Sequence, residues 1–261
     1  MNALRLLFGT LTILPVRPPA SVDRRTAGWA MALAPLAGGV LAVIVVAPVL
    51  LLEEYADPPP LLLAVLVIGL LALLTRALHL DGLADTADGL GSGRRGEAAL
   101  EVMRKSDIGP FGVVTLVLVL LLQVAALAEC LAAGTGPAAL LVSLVASRTM
   151  LIAVCGGRFR AARQDGLGAV VAGSVDTSKA AVGLAVALVL VLGGLGVLSS
   201  IDLTGNEQLG AEFDQLVWFA LLAGFGMAAW AARRFGGLTG DVFGAVVETT
   251  FTAALVIAAL T

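Results

Sequence analysis

Three aspartates, Asp81, Asp85 and Asp88, stand close together at the end of a long apolar run in a chain of which only 13% is charged. Carboxylates packed this tightly repel one another unless cations neutralise them. Oxygen-only donors suit Mg2+, or Mn2+, rather than zinc, which prefers nitrogen and sulfur ligands. Positions i, i+4 and i+7 fall within roughly 60° of arc on an α-helix, so a second span continuing as a helix past Leu80 presents Asp81, Asp85 and Asp88 as metal ligands on one face. Gly82 and Gly89 lie beside that face, where a missing side chain would let a phosphorylated ligand approach the backbone. His79 falls nearly opposite, as a packing or supporting residue, and becomes a direct ligand or base if the helix breaks at Gly82. Solvation of a helix end explains one or two such acids, but gives no reason to place three on one stripe.

The same connection continues through Glu97 and Glu101 to Arg104, Lys105, Ser106, Asp107, Ile108 and Gly109. Cations near a carboxylate-held metal suit a pyrophosphate, whose oxygens a metal and an Arg or Lys can share. Arg104, Lys105 and Ser106 are therefore candidate substrate contacts, and Asp107 is a candidate base or the N-cap of the next span. Arg94 and Arg95 are read as topology determinants.

The elements that must position these groups are membrane spans. Hydrophobic residues make up 59% of the 261-residue chain and its mean hydropathy is +1.01. Apolar stretches run over Ala27 to Leu52, Leu61 to Leu80, Ile108 to Ala133, Pro137 to Cys155, Lys179 to Ser199, Asp214 to Ala232 and Asp241 to Thr261. Each approaches the ~20 residues that cross a ~30 Å hydrocarbon core. The expectation is an all-α polytopic bundle of about seven transmembrane helices forming one membrane-embedded domain over residues 1–261. The fourth stretch is short, and if it were re-entrant everything after it would change sides.

Charge placement orients the bundle. Arg5, Arg17, Arg24 and Arg25 precede the first stretch, the later basic residues recur in alternate connections, at Arg94 to Lys105, Arg158 to Lys179 and Arg233 to Arg234, and Arg76 and Arg148 sit toward the inner ends of their spans. The connections at Glu53 to Pro60, Glu129 to Gly136 and Ser200 to Phe213 contain none. The positive-inside rule then gives an inside N-terminus and puts the acidic loop over residues 81–107 in the cytoplasm. Residues 1–25 form an interfacial segment whose helix ends at Pro15, and they lack the basic region and cleavage site of a signal peptide. A net charge of -3 offers no footprint for nucleic acid. Cys130 and Cys155 fall near opposite ends of their spans, too far apart to bridge. Glycine clusters at Gly38 and Gly39, Gly193 to Gly196, and Gly224 to Gly226 permit close helix contacts, and assembly as a homo-oligomer stays open.

The run Ala77 to Gly89, followed by Met103-Arg104-Lys105-Ser106-Asp107-Ile108-Gly109-Pro110-Phe111-Gly112, closely resembles the cobalamin synthase family, the adenosylcobinamide-GDP ribazoletransferases. Phe8 to Val16, Arg163 to Gly168, and Gly240-Asp241-Val242-Phe243-Gly244-Ala245 are similar to further elements of that family. The resemblance implies a multi-pass enzyme of the bacterial cytoplasmic membrane with its active site facing the cytoplasm. Its substrates would be adenosylcobinamide-GDP and α-ribazole or α-ribazole 5′-phosphate. The ribazole 3′-hydroxyl would attack the cobinamide-linked phosphorus and release GMP, by metal-dependent phosphoryl transfer. Asp81, Asp85 and Asp88 would hold Mg2+, Arg104 and Lys105 would stabilise the departing phosphate, and Asp107 or Asp241 would be the base. Lys105 stands where many relatives have an acid.

Two other readings compete. Asp85-Thr86-Ala87-Asp88-Gly89 partly matches the CDP-alcohol phosphotransferase signature, but Gly91, Ser92 and Gly93 follow where Ala-Arg should come. A cation-coupled transporter would use intramembrane carboxylates, whereas these acids lie past the end of a span and no pair of interrupted spans suggests an inverted repeat.

Overall fold

Lipid offers no partner to a backbone N–H or C=O, so apolar stretches of this length must fold as helices. The computed structural model describes residues 1–200 and 209–261. Among them it is all-helical apart from one isolated bridge between Ala161 and Leu238. The order is α1 (Asn2–Leu11), α2 (Arg24–Ala32), α3 (Ala34–Tyr55), α4 (Pro60–Leu74), α5 (Leu78–Gly91) and α6 (Glu97–Met103). It continues with α7 (Pro110–Ala132), α8 (Gly136–Val154), α9 (Gly166–Val171), α10 (Thr177–Ser200), α11 (Leu209–Phe235) and α12 (Gly240–Leu260). Among the described residues five helices, α3, α7, α8, α10 and α12, are long and apolar enough to cross a membrane, and α4 with α5 makes a sixth if that bent pair counts as one span. Helix α11, 27 residues long, contains the predicted Asp214 to Ala232 stretch. The all-α membrane bundle expected from the sequence is what forms. The basic-free loop expected at Ser200 to Phe213 falls largely on residues outside the described ones.

Two expected spans are not continuous. The first divides at Leu33, where Pro35 at the start of α3 has no N–H with which to extend α2. The second breaks at Thr75 to Ala77, and α5 leaves α4 at 88°. The break is built from Thr75, whose hydroxyl donates to the Leu71 carbonyl at 2.9 Å, and from Arg76 and Ala77, both left-handed with φ of 55° and 52°. Left-handed backbone costs a non-glycine residue about 1–2 kcal/mol, so tertiary contacts must hold it. The segment ending α1 supplies them: Arg76 Nη2 donates to the Gly9 carbonyl at 2.9 Å and the Ile13 N–H donates to the Leu74 carbonyl at 2.7 Å.

The short fourth stretch is the axis of the bundle. Helix α8 is buried almost throughout and touches α3, α7, α10, α11 and α12. Its neighbour α3 comes so close that a Cβ at Gly38 would stand 2.4 Å from the Leu144 carbonyl oxygen. Midway along, α8, α7 and α12 enclose a polar group in an apolar surround. Gln123 Nε2 donates to Glu248 Oε2 at 2.8 Å and to Thr252 Oγ1 at 2.9 Å. Arg148 and Glu248, both buried, line one small cavity of about 20 Å³. Intramembrane charges characteristically face inward in this way.

Candidate functional site

The basic connections gather at one end of the bundle, and α5 lies across that end against the first turns of α7 and α12. A cavity of about 400 Å³ opens beside it. Its walls include Thr10 and Leu11 of α1, His79 and Asp81 of α5, Leu151 of α8, and Arg163, Asp165 and Gly168 around the start of α9. The first turns of α12 complete it with Thr239, Asp241, Gly244 and Val247. The connection carrying Arg163 is strapped in place, because the Leu238 N–H donates to the Arg160 carbonyl at 2.8 Å and the Ala162 N–H to the Leu238 carbonyl at 2.9 Å.

The three aspartates share one helix but not one environment. Asp81 is exposed in the first turn of α5 and borders the cavity. Asp85 is half-buried and lies within Coulombic reach of Asp241 first, then of Asp81 and Asp88, with Arg163 the cation that offsets them. Asp88 is buried and faces another way: its Oδ2 accepts from the Gly109 N–H at 2.7 Å and its Oδ1 from the Gly112 N–H at 2.9 Å. It caps the N-terminus of α7, a task that Asp107, exposed two residues before the N-cap Gly109, does not perform. Negative charge at a helix N-terminus satisfies orphan N–H groups and opposes the helix dipole favourably. Among the described residues no three acidic, His or Cys side chains converge closely enough to hold an ion between them.

Gly82 and Gly89 do not leave their faces open for a ligand. A Cβ at Gly82 would stand 2.5 Å from the Asp241 carbonyl oxygen, and one at Gly89 would stand 2.8 Å from Met103 Cγ and 3.0 Å from a Phe235 ring carbon. Both glycines serve helix contact: Gly82 lets the backbones of α5 and α12 meet, which brings Asp241 to Asp85. His79 is buried, and neither ring nitrogen has a hydrogen-bond partner among the described residues. The helix does not break at Gly82, yet His79 and Asp81 border the same cavity. The cavity covers the N-terminal end of α5, where opposite faces of a helix both come into view.

Arg104 pairs with Glu97 at 2.8 Å, with both side chains exposed. Lys105, Ser106 and Asp107 are also exposed, and none of the four lines the cavity. They stand at the other end of α5, joined to it through Asp88 and Gly109. The cation that does line the cavity is Arg163, whose Nη2 donates to the Leu100 carbonyl at 3.1 Å while its buried Nε has no partner among the described residues. Its membership follows from long-range folding, and the only sequence signal for it was the similarity of Arg163 to Gly168 to a family element. Thr239 was legible in principle, as a Thr three residues before a helical Val: its Oγ1 accepts from the Val242 N–H at 3.3 Å and donates to Asp241 Oδ2 at 3.2 Å.

The model of the cobalamin-5-phosphate synthase family matches residues 3–259. Among curated proteins, the adenosylcobinamide-GDP ribazoletransferase of Frankia casuarinae is 43% identical over 98% of this chain and 94% of its own length. Those of a Nocardioides species and of Bradyrhizobium diazoefficiens are 42% and 36% identical, over 97% and 98% of this chain and 96% and 92% of their own lengths. No solved structure matches the chain. A family match over almost every residue has one consequence: the chain belongs to the cobalamin-5-phosphate synthase family.

Proposed function

We propose that this protein joins α-ribazole, or its 5′-phosphate, to adenosylcobinamide-GDP, giving the cobalamin product and GMP at the basic end of a bundle in the bacterial cytoplasmic membrane. The observation that carries the reading is the approach of Asp241, across Gly82, to a helix bearing Asp81 and Asp85, beside a cavity that also holds Arg163. A pocket of this size accommodates a nucleoside but not a corrinoid, within the ~300–1,000 Å³ typical of small-molecule sites. The ribazole therefore enters the cavity and the corrinoid stays outside it.

The donor set suits Mg2+, which is usually held by one or two carboxylates and completes its shell with water and substrate phosphates. Asp81 and Asp85 would be those carboxylates, while Asp88 is committed to α7. When bound, the ion would neutralise the pyrophosphate and so favour departure of GMP. Asp241, its Oδ2 oriented by the Thr239 hydroxyl, accepts the proton of the ribazole 3′-hydroxyl. His79, with both ring nitrogens buried, packs behind this wall. As the new bond to the cobinamide-linked phosphorus forms, the bond to the GMP oxygen breaks. Arg163 takes charge on the transferring phosphoryl group, and the GMP half lies along α5 toward Arg104, Lys105 and Ser106.

Incubating membranes that contain the protein with adenosylcobinamide-GDP and α-ribazole tests the reaction, with CDP-diacylglycerol plus an alcohol as the competing assay. A corrinoid product with GMP in the first alone is the expected result, and phospholipid product in the second would overturn it. A reporter fused after Thr261 should be active outside the cytoplasm; a cytoplasmic signal there would refute the orientation.

A further inference from the structure

Away from the cavity, α10 and α11 both pack on α8 but separate from each other toward its C-terminal end. Between them runs a groove of about 540 Å³, walled by Ala153 of α8, Ala180 and Leu184 of α10, and Trp218, Leu222 and Phe225 of α11. Leu184, Trp218 and Leu222 are exposed along its lip. The groove opens sideways from helices whose outer faces are apolar, so the phase that bathes it is hydrocarbon, not water.

Its mouth lies at the basic end, at Gly157 and Asp176. There the exposed guanidinium of Arg158 sits over the Phe225 ring, 5.6 Å from its centroid. Among the described residues Arg158 has no carboxylate partner. The one acid at the mouth, Asp176, is already engaged: hydrogen bonds from Lys179 and Ser178 hold its carboxyl well below the usual carboxylate range, and Lys179 balances its charge. What remains is an apolar slot headed by one uncompensated cation.

We propose that this groove binds an anionic phospholipid, one acyl chain lying between α10 and α11 and the headgroup phosphate resting on Arg158. The apolar walls account for the chain, and the unpaired guanidinium selects a net-negative headgroup over a zwitterionic one. The connection that carries Arg163 to the cavity begins at this same mouth, so bound lipid fastens its stem. A cation near the membrane surface contributes ~1 kcal/mol to anionic-lipid binding, which is about a fivefold preference.

The test uses the full chain in phosphatidylcholine vesicles and phospholipids brominated on the acyl chain, which quench nearby tryptophan. The difference between this chain and its W218F variant isolates the signal from Trp218. Brominated phosphatidylglycerol should quench saturably at low mole fraction, about fivefold more effectively than brominated phosphatidylcholine. A180F, which fills the groove, should abolish saturation, and R158Q should remove the headgroup preference while leaving quenching by the chain. Equal quenching by both lipids, the mark of ordinary boundary lipid only, would overturn the proposal, as would a preference that survives R158Q. Should A180F fail to fold, the exposed R158Q substitution decides the matter alone.

Discussion

The carboxylates of α5 and the Arg148 and Glu248 network are both islands of charge in an apolar bundle, and they are built in opposite ways. Within the bundle, Glu248 has Gln123 as a donor and Arg148 as a nearby counter-charge, inside a space of about 20 Å³. At the basic end, Asp81, Asp85 and Asp241 are acids near acids, and among the described residues Arg163 is the cation that offsets Asp85. A cluster that holds both signs of charge offsets itself, and one of mostly like charge is a place for substrate or ion. The difference lies in what each cluster lacks and not in how many charges it has.

That contrast can be broken most sharply at Asp85. D85N should lower GMP release, assayed with Mg2+ present, by about 10²–10³-fold, the loss seen when one charge-stabilising group is removed from an active site, while the protein still inserts and elutes normally. D107N should leave turnover near normal, because Asp107 is exposed just before the N-cap of α7, beyond the far end of α5 from the cavity. Next in size, R148M should destabilise the bundle by ~3–5 kcal/mol by stranding a buried carboxylate, and the R148M/E248M pair should recover most of that loss. Thermal unfolding in detergent would show it, and a single variant as stable as the parent would mean the network is not balanced as described.

The two smaller tests concern how the helices meet. G82A puts a methyl group against the Asp241 carbonyl and should cost ~1–3 kcal/mol, as overpacking does, with turnover falling further than stability because Asp241 is displaced. D88A should cost ~0.5–2 kcal/mol, the value of an N-cap. In a Mg2+ titration of activity, D88N should leave the midpoint unchanged where D81N shifts it; equal shifts would return Asp88 to the ligand set.

Much of this was legible beforehand because it is local. Hydropathy marked the helices, and the spacing of Asp81, Asp85 and Asp88 put them on one helical face, since i, i+4 and i+7 follow from backbone geometry alone. What each acid does on that face was not legible. Asp88 and Asp85 are three residues apart on the same helix, yet one meets the amides of Gly109 and Gly112 and the other the field of Asp241. The glycines misled for a related reason: a missing side chain signals close approach, but not whether ligand or protein makes it.

By itself, the sequence determined that the chain is a helical membrane protein with an acidic face on one short helix, and its motifs sufficed to indicate the family. Periodicity and composition act within a few turns of chain, and they survive any rearrangement of the helices. The tertiary structure decided the rest. It bent α5 away from α4, with strained backbone at Arg76 and Ala77 stabilised by contacts from the end of α1. It made the short α8 the axis, and it brought Asp241 and Arg163 to Asp81 and Asp85 from far along the chain. Those contacts depend on which helices pack together, and nothing within one helical turn encodes that.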